Sequence, residues 1–431
     1  MTALLYVLGV LAIVLGLAVS IALHECGHMV PAKRFGVRVP QFFVGFGKTL
    51  WSVRRGGTEY GVKAFPLGGF VKLIGMLPPH PAEEDPTRKQ GAFGRLIADA
   101  RAAEAELLQP GDEDRMFYRL PWWKKVIVMS GGPTVNLLIA FFLFGAVFWW
   151  HGVPEPTTTV DTVAECVMAV RADEQPRACQ AGVDPEAPSK AAGILPGDRI
   201  VSFGGTTITS YDQLQKLIRA GGAEQVAITV ERDGAQKVLQ ATTAVNLLPT
   251  LDGGTGSVKA GYLGITPTQE AVAKGPLYTL GQMRDYTGET VKALGRMPVK
   301  LWGVAKAAVG VEKRDPNSPM SVVGVGRVAG EVASDKAVDL GDRIAFVLTL
   351  LAGVNLFIGM FNFVPLLPLD GGHIAGALYE AVRRGLARVF GRPDPGQFDV
   401  ARLLPVAYVM AGVLLVMTVL LVYADIVAPV A

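Results

Sequence analysis

Four long apolar stretches interrupt the otherwise mixed pattern of this chain, at residues 3–23, 126–150, 344–369 and 403–423. None of them contains a Lys, Arg, Asp or Glu residue. A helix needs about 20 apolar residues to cross a bilayer, so the pattern predicts four transmembrane helices. The first stretch lacks the basic start and the small-residue cleavage site of a signal peptide, and we expect it to be retained.

The polar segments between these stretches differ in positive charge. Residues 29–125 and 371–402 are rich in Lys and Arg, which is typical of loops on the cytoplasmic side of a membrane. The long segment 152–343 and both termini are then expected outside. The predicted transmembrane helices occupy residues 1–28, 126–151, 343–370 and 403–427.

The first cytoplasmic segment has a β pattern. Between residues 37 and 77, short apolar runs rich in aromatic and β-branched residues alternate with glycines. Such runs predict short strands joined in hairpins. We therefore expect a membrane-associated β region within residues 29–125.

The outer segment begins with a second β-rich module, at residues 155–268. A turn at residues 195–198 precedes an expected strand at Arg199–Phe203, a helix at 211–219 and a strand at 226–231. The run AGILPGDRIV and its spacing to the helix resemble a PDZ domain, a fold that binds extended peptides at a sheet edge. The following residues 269–342 are amphipathic, and we expect them to lie on the outer membrane surface or to cover the gap between the helices.

The composition agrees with this membrane assignment. Only 18% of the 431 residues are charged and the mean hydropathy is +0.35, whereas soluble domains carry about 25% charged residues. The fold class is therefore a polytopic α-helical membrane protein with four transmembrane helices, a membrane-associated β-hairpin region and an extracytoplasmic PDZ domain. The net charge of +3 is too small to indicate nucleic-acid binding. Cys166 and Cys179 fall in the oxidising outer segment, where a disulfide is one of two open outcomes.

The end of the first apolar stretch carries a candidate metal site. His24, Glu25 and His28 form an H-E-x-x-H motif, in which histidines four apart lie on one helical face and both imidazoles can reach one ion. Glu25 can then accept a proton from a water on that ion. The alternative is a solvated helix end, but ionisable residues within a membrane cost roughly 3 kcal/mol or more and mark functional sites. Cys26 points off the histidine face and is interpreted as a packing residue.

A hydrolytic zinc usually has a third protein ligand. Asp370 lies at the cytoplasmic end of the third span, at the same depth as His24 by the predicted topology. His80 lies in a Pro-rich loop, and His151 lies at the outer end of the second span. His373 is the rival third ligand, although a carboxylate readily completes a two-histidine site.

Several motifs in order now identify a family. They are HECGH at residues 24–28, GFGK at 45–48, PLGGFVK at 66–72, GGPTVN at 131–136, the PDZ-like module, and NFVPLLPLDGGH at 362–373. The chain resembles the site-2 protease family of intramembrane zinc metalloproteases, and within it the bacterial regulators of the extracytoplasmic stress response that carry a PDZ domain. Leu367 stands where the family usually has a second proline, while the spacing to Asp370 is kept.

The resemblance implies roles for further residues. Asn362 would hold the substrate backbone near the zinc. A hairpin dipping into the membrane would pair its edge strand with an unwound substrate, through Gly45, Phe46, Gly47, Gly68 and Gly69. The glycines alone would otherwise indicate tight hairpin turns. Gly132, Pro133 and Asn136 are interpreted as helix-packing residues.

The resulting hypothesis is an intramembrane zinc metalloprotease of the bacterial inner membrane. Its expected partners are membrane lipid and single-span membrane proteins, with an anti-sigma factor already trimmed on its outer side or a signal-peptide remnant as substrate. The PDZ domain would either recruit substrates or exclude bulky ones. The alternative is a non-catalytic membrane scaffold whose PDZ domain binds peptides and whose metal is structural, although such a site needs no general base at Glu25. A transporter fits poorly, because no internal repeat is found.

Overall fold

A computed structural model describes residues 2–78, 92–168, 179–180, 183–251 and 257–430. The chain divides into two compact units. The first comprises Met1–His151 and Lys274–Ala431, and the second comprises Gly152–Ala273. The Pro-rich stretch at residues 79–91, which includes His80, lies outside the described residues.

The helices are named in chain order. They are α1 (Thr2–Arg34), α2 (Ala92–Ala105), α3 (Trp122–Gly145), α4 (Pro188–Ala191), α5 (Tyr211–Ala220), α6 (Pro276–Gly295), α7 (Met297–Ala308), α8 (Val322–Ser334), α9 (Leu340–Phe361), α10 (Asp370–Val389) and α11 (Leu404–Val427). The strands are β1 (Gln41–Arg55), β2 (Thr58–Lys72), β3 (Val153–Val163), β4 (Arg199–Phe203), β5 (Thr206–Thr207), β6 (Gln225–Arg232), β7 (Ala235–Thr242), β8 (Ala244–Pro249), β9 (Ser257–Tyr262) and β10 (Ile265–Val272).

Within the described residues, four helices are long and apolar enough to cross a membrane, as the pattern predicted. They are α1, α3 with its π-helical extension Ala146–His151, α9, and α11 with the short turn that precedes it. Helix α3 packs against both α1 and α9. The crossing of α1 and α3 is very close, because a Cβ placed on Gly131 would lie 1.9 Å from the carbonyl oxygen of Gly27.

The β region forms a bent hairpin next to α1. The turn at Gly56-Gly57 joins β1 to β2, and both strands shift register between Val44 and Trp51. Because of this bend, residues 41–44 pair with residues 69–72 and also lie beside residues 59–62. Residues 69–72 therefore form an outer strand of the region. A shared apolar cluster, which includes Met29, Val39, Phe42, Leu73 and Val128, joins this region to α1 and α3.

The third span ends earlier than the sequence suggested. Helix α9 ends at Phe361, and Asp370 begins a separate helix, α10, where a loop was expected. Pro365 and Pro368 lie between the two helices, and proline has no amide hydrogen to continue a helix. The amide of Gly371 donates to the carbonyl oxygen of Asn362 over 2.7 Å, which closes the connection and returns Asp370 towards the end of α9.

Helices α6, α7 and α8 pack against the spans. The indole Nε1 of Trp149 on the α3 extension donates to Thr279 on α6 over 2.9 Å. Val304 on α7 packs with Leu421 on α11, and α8 packs against α1. Residues of the amphipathic segment therefore contact the apolar helices.

The second unit is a β module with its own apolar core. Its main sheet has the order β10-β3-β4-β6-β7, with β5 beside β4, while β8 and β9 form a separate hairpin. The strand expected at Arg199–Phe203 is β4, and the expected helix is α5. Ser210 caps α5 by accepting from the Gln213 amide, as serine commonly does at a helix start. Leu214 and Ile218 of α5 enter the core of this unit.

Candidate metal centre

The two histidines of the first span face each other on α1. His24 and His28 are one helical turn apart, and their Nε2 atoms are 3.2 Å from one another. His28 is buried, with 4% of its surface exposed. The spacing i, i+4 therefore brings two nitrogen donors to one point, as the motif predicted.

The other nitrogen of each ring is held by α3. Nδ1 of His28 donates to the carbonyl oxygen of Val128 over 2.8 Å, and Nδ1 of His24 donates to Oδ1 of Asn136 over 3.2 Å. Since the carbonyl of Val128 can only accept, the proton of His28 lies on Nδ1 and Nε2 presents a lone pair. Hydrogen bonds of this kind fix the ring tautomer in metal sites.

Asp370 brings a carboxylate to the same point. Its Oδ2 atom lies 3.4 Å from Nε2 of His24 and 3.3 Å from Nε2 of His28. This oxygen is buried, and no residue among those described donates a hydrogen bond to it. Three lone-pair donors thus converge without a proton between them, which is an arrangement that a cation stabilises.

The dimensions of this triangle fit zinc. Zinc binds nitrogen and oxygen at about 2.0–2.2 Å in a tetrahedron, so its ligand atoms should lie about 3.3 Å apart. The observed separations are 3.2, 3.3 and 3.4 Å. Among the described residues, no other group of three histidine, cysteine or carboxylate side chains comes as close together.

A glycine leaves room for these donors. A Cβ on Gly132 of α3 would lie 2.3 Å from Nε2 of His28 and 2.7 Å from Nε2 of His24. Any side chain at this position would occupy the space beside the donor atoms. The absence of a side chain on Gly132 is therefore part of the site.

Glu25 lies on the neighbouring face of α1, against the outer strand of the β region. A Cβ on Gly69 would be 3.2 Å from Cγ of Glu25, and the amide of Val71 donates to its carboxylate. Gly69 is thus close to the expected general base. The strand that was expected to receive substrate runs directly past Glu25.

The other predicted substrate residues lie further along the hairpin. Gly45, Gly47 and Gly68 have positive φ angles of 92°, 87° and 126°, which side-chain-bearing residues rarely adopt. A Cβ on Gly68 would be 2.3 Å from the ring of Phe46, and the ring itself is half exposed. These residues shape the hairpin, while Asn362 caps α9 and closes the connection to Asp370.

The remaining candidate residues have other surroundings. Cys26 packs against the apolar cluster beneath the β region, as expected. His373 does not join the group of three donors and lines a small cavity along α10. His151 pairs with Asp342 over 2.8 Å at the far end of α3. Cys166 and Cys179 form a disulfide, which settles the pairing that the sequence left open.

Sequence reasoning missed the second role of Asn136 and Gly132. Both were interpreted as helix-packing residues, whereas Asn136 is a hydrogen-bond partner of His24 and Gly132 faces both donor nitrogens. A signal was present in the sequence, because Asn136 is a polar residue inside an apolar span. Buried polar groups in a membrane need partners and usually serve a function.

The similarity of this chain to known proteins extends over the whole candidate metal centre. The profile of peptidase family M50 matches residues 12–391. The chain is similar to the zinc metalloprotease Rip1 of Mycobacterium tuberculosis, with 35% identity over 437 residues and 99% of each chain covered. It is also similar to the zinc metalloprotease Rip1 of Mycolicibacterium smegmatis, with 33% identity over 440 residues and 98% of each chain covered.

Proposed function

The chain belongs to peptidase family M50, the site-2 protease family, and is a zinc metalloprotease; from this premise we propose that it hydrolyses peptide bonds in or near the transmembrane segments of single-span membrane proteins. The enzyme class and the zinc cofactor agree with the expectation from the sequence. We propose His24, His28 and Asp370 as the zinc ligands and Glu25 as the general base. The observation that carries this proposal is the triangle of donor atoms, with sides of 3.2–3.4 Å.

The residues divide the chemistry between them. Zinc held by the three ligands would polarise the substrate carbonyl and lower the pKa of a water ligand to about 7. The carboxylate of Glu25 takes the proton from the attacking water and passes it to the leaving amine. Asn136 and the carbonyl oxygen of Val128 hold the two imidazoles with their Nε2 lone pairs towards the ion.

Substrate would bind along the outer strand of the β region. A transmembrane helix satisfies its backbone groups internally, so its peptide bonds must be drawn into an extended form before water can attack them. Residues 69–72 form an outer strand beside Glu25, and an extended peptide can add to such a strand. Gly45, Phe46, Gly47 and Gly68 would shape this hairpin, and Asn362 would hold the substrate backbone near the zinc.

The unit Gly152–Ala273 is proposed to be a PDZ-type module outside the cytoplasm. Its edge strand β10 and its helix α5 are the kinds of element between which PDZ folds bind extended peptides. The richness of residues 29–125 and 371–402 in Lys and Arg, which is typical of cytoplasmic loops, supports this orientation. A cysteine introduced at Gly234 should react with an impermeant reagent from outside the cell, whereas one at Gly94 should not; reaction of both would refute the four-span topology.

The family resemblance suggests a substrate class. We propose an anti-sigma factor already trimmed on its outer side, or a signal-peptide remnant, in the inner membrane of a bacterium. Cleavage of the former would place the protein in the stress response. Both substrates are short membrane-spanning segments with a free outer end. A module outside the membrane could distinguish them from proteins with a bulky outer domain, either by recruiting the former or by excluding the latter.

The decisive experiment replaces Glu25 with glutamine. Glutamine keeps the size of glutamate but cannot accept the proton, and general acid–base catalysis supplies about 10²–10⁴-fold in rate. Glu25→Gln should retain zinc and cleave a reporter transmembrane segment at least about a hundredfold more slowly. Glu106→Gln makes the same change on an exposed residue and should have no effect.

Two outcomes would refute the proposal. Undiminished cleavage by Glu25→Gln would show that another group is the base. A wild-type protein that binds zinc but cleaves no membrane segment would favour the scaffold alternative instead.

A further inference from the structure

One face of α3, in the first half of the helix, contacts the residues that surround the metal centre. Lys125, Val128, Gly132 and Asn136 recur at spacings of three and four residues, so they lie on the same side of the helix. Three of these positions touch the histidines, as described above. Lys125 is the fourth, and it contacts a different element.

Lys125 forms a buried ion pair with α10. Its Nζ atom lies 2.7 Å from Oε2 of Glu380, and the two side chains are 7% and 1% exposed. Glu380 also lies 3.1 Å from Nη1 of Arg384, and it accepts from the amide of Phe398. The carboxylate is therefore enclosed, its Oε2 atom accepts the hydrogen bonds, and Lys125 is its partner from α3.

Glu380 belongs to the helix that Asp370 begins. The ten residue steps from Asp370 to Glu380 span about 15 Å at 1.5 Å per residue. His373, Gly376, Ala377 and Glu380 follow one another at helical spacing along the face that lines a cavity shared with Lys125. A helix is stiff over this length, so an anchor at Glu380 limits the rotation and the tilt of the whole of α10.

The near end of α10 is held mainly by backbone packing. A Cβ on Gly371 would lie 2.1 Å from the carbonyl oxygen of Val364, and one on Gly372 would lie 2.7 Å from the amide nitrogen of Leu367. This packing fixes where α10 begins. The direction of the helix, and with it the direction of the Asp370 carboxylate, needs a second point of attachment.

We infer that α3, which supplies no zinc ligand, positions all three of them, and that Lys125 and Glu380 are positioning residues for Asp370. Asn136 orients His24, the carbonyl of Val128 orients His28, and the Lys125–Glu380 pair sets α10 against the same helix. The inference rests on the proposed zinc site. It assigns a role in metal affinity to a pair that lies away from the donor atoms.

The ion pair is suited to this task because it joins two buried side chains, one on α3 and the other on α10. Removal of Lys125 leaves the buried carboxylate of Glu380 paired only with Arg384, which lies on the same helix. Helix α10 then loses its charged contact with α3 and must move to solvate the carboxylate. Removal of both partners leaves a neutral contact of similar volume, which proteins often tolerate. The single and double replacements should therefore differ in their effect on Asp370.

The test measures zinc affinity in the full-length protein in detergent, by competition with a chelator. Replacement of groups that orient metal ligands typically lowers affinity about 10–100-fold. Lys125→Met should lower zinc affinity about tenfold, in the folded fraction isolated by size exclusion. At saturating zinc its kcat should recover towards the wild-type value while KM for the reporter stays unchanged.

A matched control separates positioning from general destabilisation. Arg314 and Asp425 form another ion pair, 2.7 Å apart and 2% exposed on each side, which joins the loop before α8 to the end of α11. Arg314→Met removes one partner of this pair without touching α3 or α10. It should lower the stability of the protein and leave the zinc affinity of the folded fraction unchanged.

The double variant Lys125→Met with Glu380→Met completes the cycle. Its zinc affinity should be no lower than that of either single variant, because the two positions act through one contact. An affinity of Lys125→Met within twofold of wild type, equal losses in Arg314→Met, or multiplicative losses in the double variant would each overturn the inference. Failure of the wild-type protein to bind zinc would instead refute the proposed site itself.

Discussion

The position of Gly132 makes a demanding prediction, because the smallest possible side chain should disturb the zinc site. In Gly132→Ala the added methyl group would lie 2.3 Å from Nε2 of His28 and 2.7 Å from Nε2 of His24. Carbon and nitrogen atoms that are not bonded prefer a separation of about 3.5 Å or more. One atom must therefore move by about an ångström.

The backbone cannot supply this movement at little cost. Helices α1 and α3 already touch through Gly27 and Gly131, where an added Cβ would be 1.9 Å from a carbonyl oxygen. The imidazole rings are themselves tied at Nδ1 to α3. The displacement should therefore fall on the donor nitrogens, which zinc requires within a few tenths of an ångström of their positions.

The size of the effect follows from zinc energetics. A structural zinc with four ligands is worth about 10–16 kcal/mol, or about 2.5–4 kcal/mol for each ligand. Since 1.4 kcal/mol is a factor of ten, loss of one ligand should weaken zinc binding about 10²–10³-fold. Gly132→Ala should consequently release zinc to a chelator that the wild-type protein resists, and should lose cleavage together with the metal.

The control is the same substitution in another span. Gly353 lies in α9 with no atom near the position of an added Cβ, and alanine favours a helix over glycine by about 1 kcal/mol. Gly353→Ala should retain zinc and activity. Stoichiometric zinc of wild-type affinity in Gly132→Ala would refute the claim that this glycine makes room for the metal.

Two further predictions test the surroundings of the site and the second unit. Asn136→Leu removes the acceptor for the first histidine and should lower zinc affinity about 10–100-fold, whereas Asn136→Asp should restore it; equal affinities in a chelator competition would contradict this. The second of these predictions concerns Asp198 in the second unit. Burial alone would raise the pKa of Asp198, but hydrogen bonds from Arg232 and the Leu195 amide hold this pKa below its usual range. A lowered pKa in the folded state adds stability above the unfolded value of about 3.9, and this stability is lost as the pH falls further. The urea midpoint of fragment 152–273 should therefore drop between pH 5 and pH 3, and Asp198→Asn should lower the neutral-pH stability by about 1–3 kcal/mol and remove that dependence; an unchanged pH profile in the variant would contradict this account.

Local patterns in the sequence predicted much of this architecture. The four apolar stretches, the β hairpin and the order of strand and helix around Arg199–Phe203 all follow from periodicity and turn residues within a short window. His24 and His28 are also local, since a spacing of four residues fixes their common face. The prediction of Asp370 as the third ligand needed one further step, because it depended on the first and third spans ending on the same side of the membrane.

Contacts between distant residues were beyond this reasoning. Asn136 is 112 residues from His24, and Glu380 is 255 residues from Lys125. No local pattern states which faces of two helices will meet. Helix α10 was not predicted for a different reason, because a segment so rich in arginine is also typical of a cytoplasmic loop.

The way the second unit joins the chain has a consequence for engineering. Val153, at the start of β3, lies opposite Val272, at the end of β10, so the chain leaves and returns at neighbouring positions. On the other side of this junction, the amide of Lys274 donates to the carbonyl of Phe148 over 2.8 Å. The two ends of the first unit at this junction are therefore already held together by their own hydrogen bond. Exchange of the second unit would then cost almost no additional loop-closure entropy. We therefore expect that Gly152–Ala273 can be deleted or exchanged at little entropic cost to the rest of the chain.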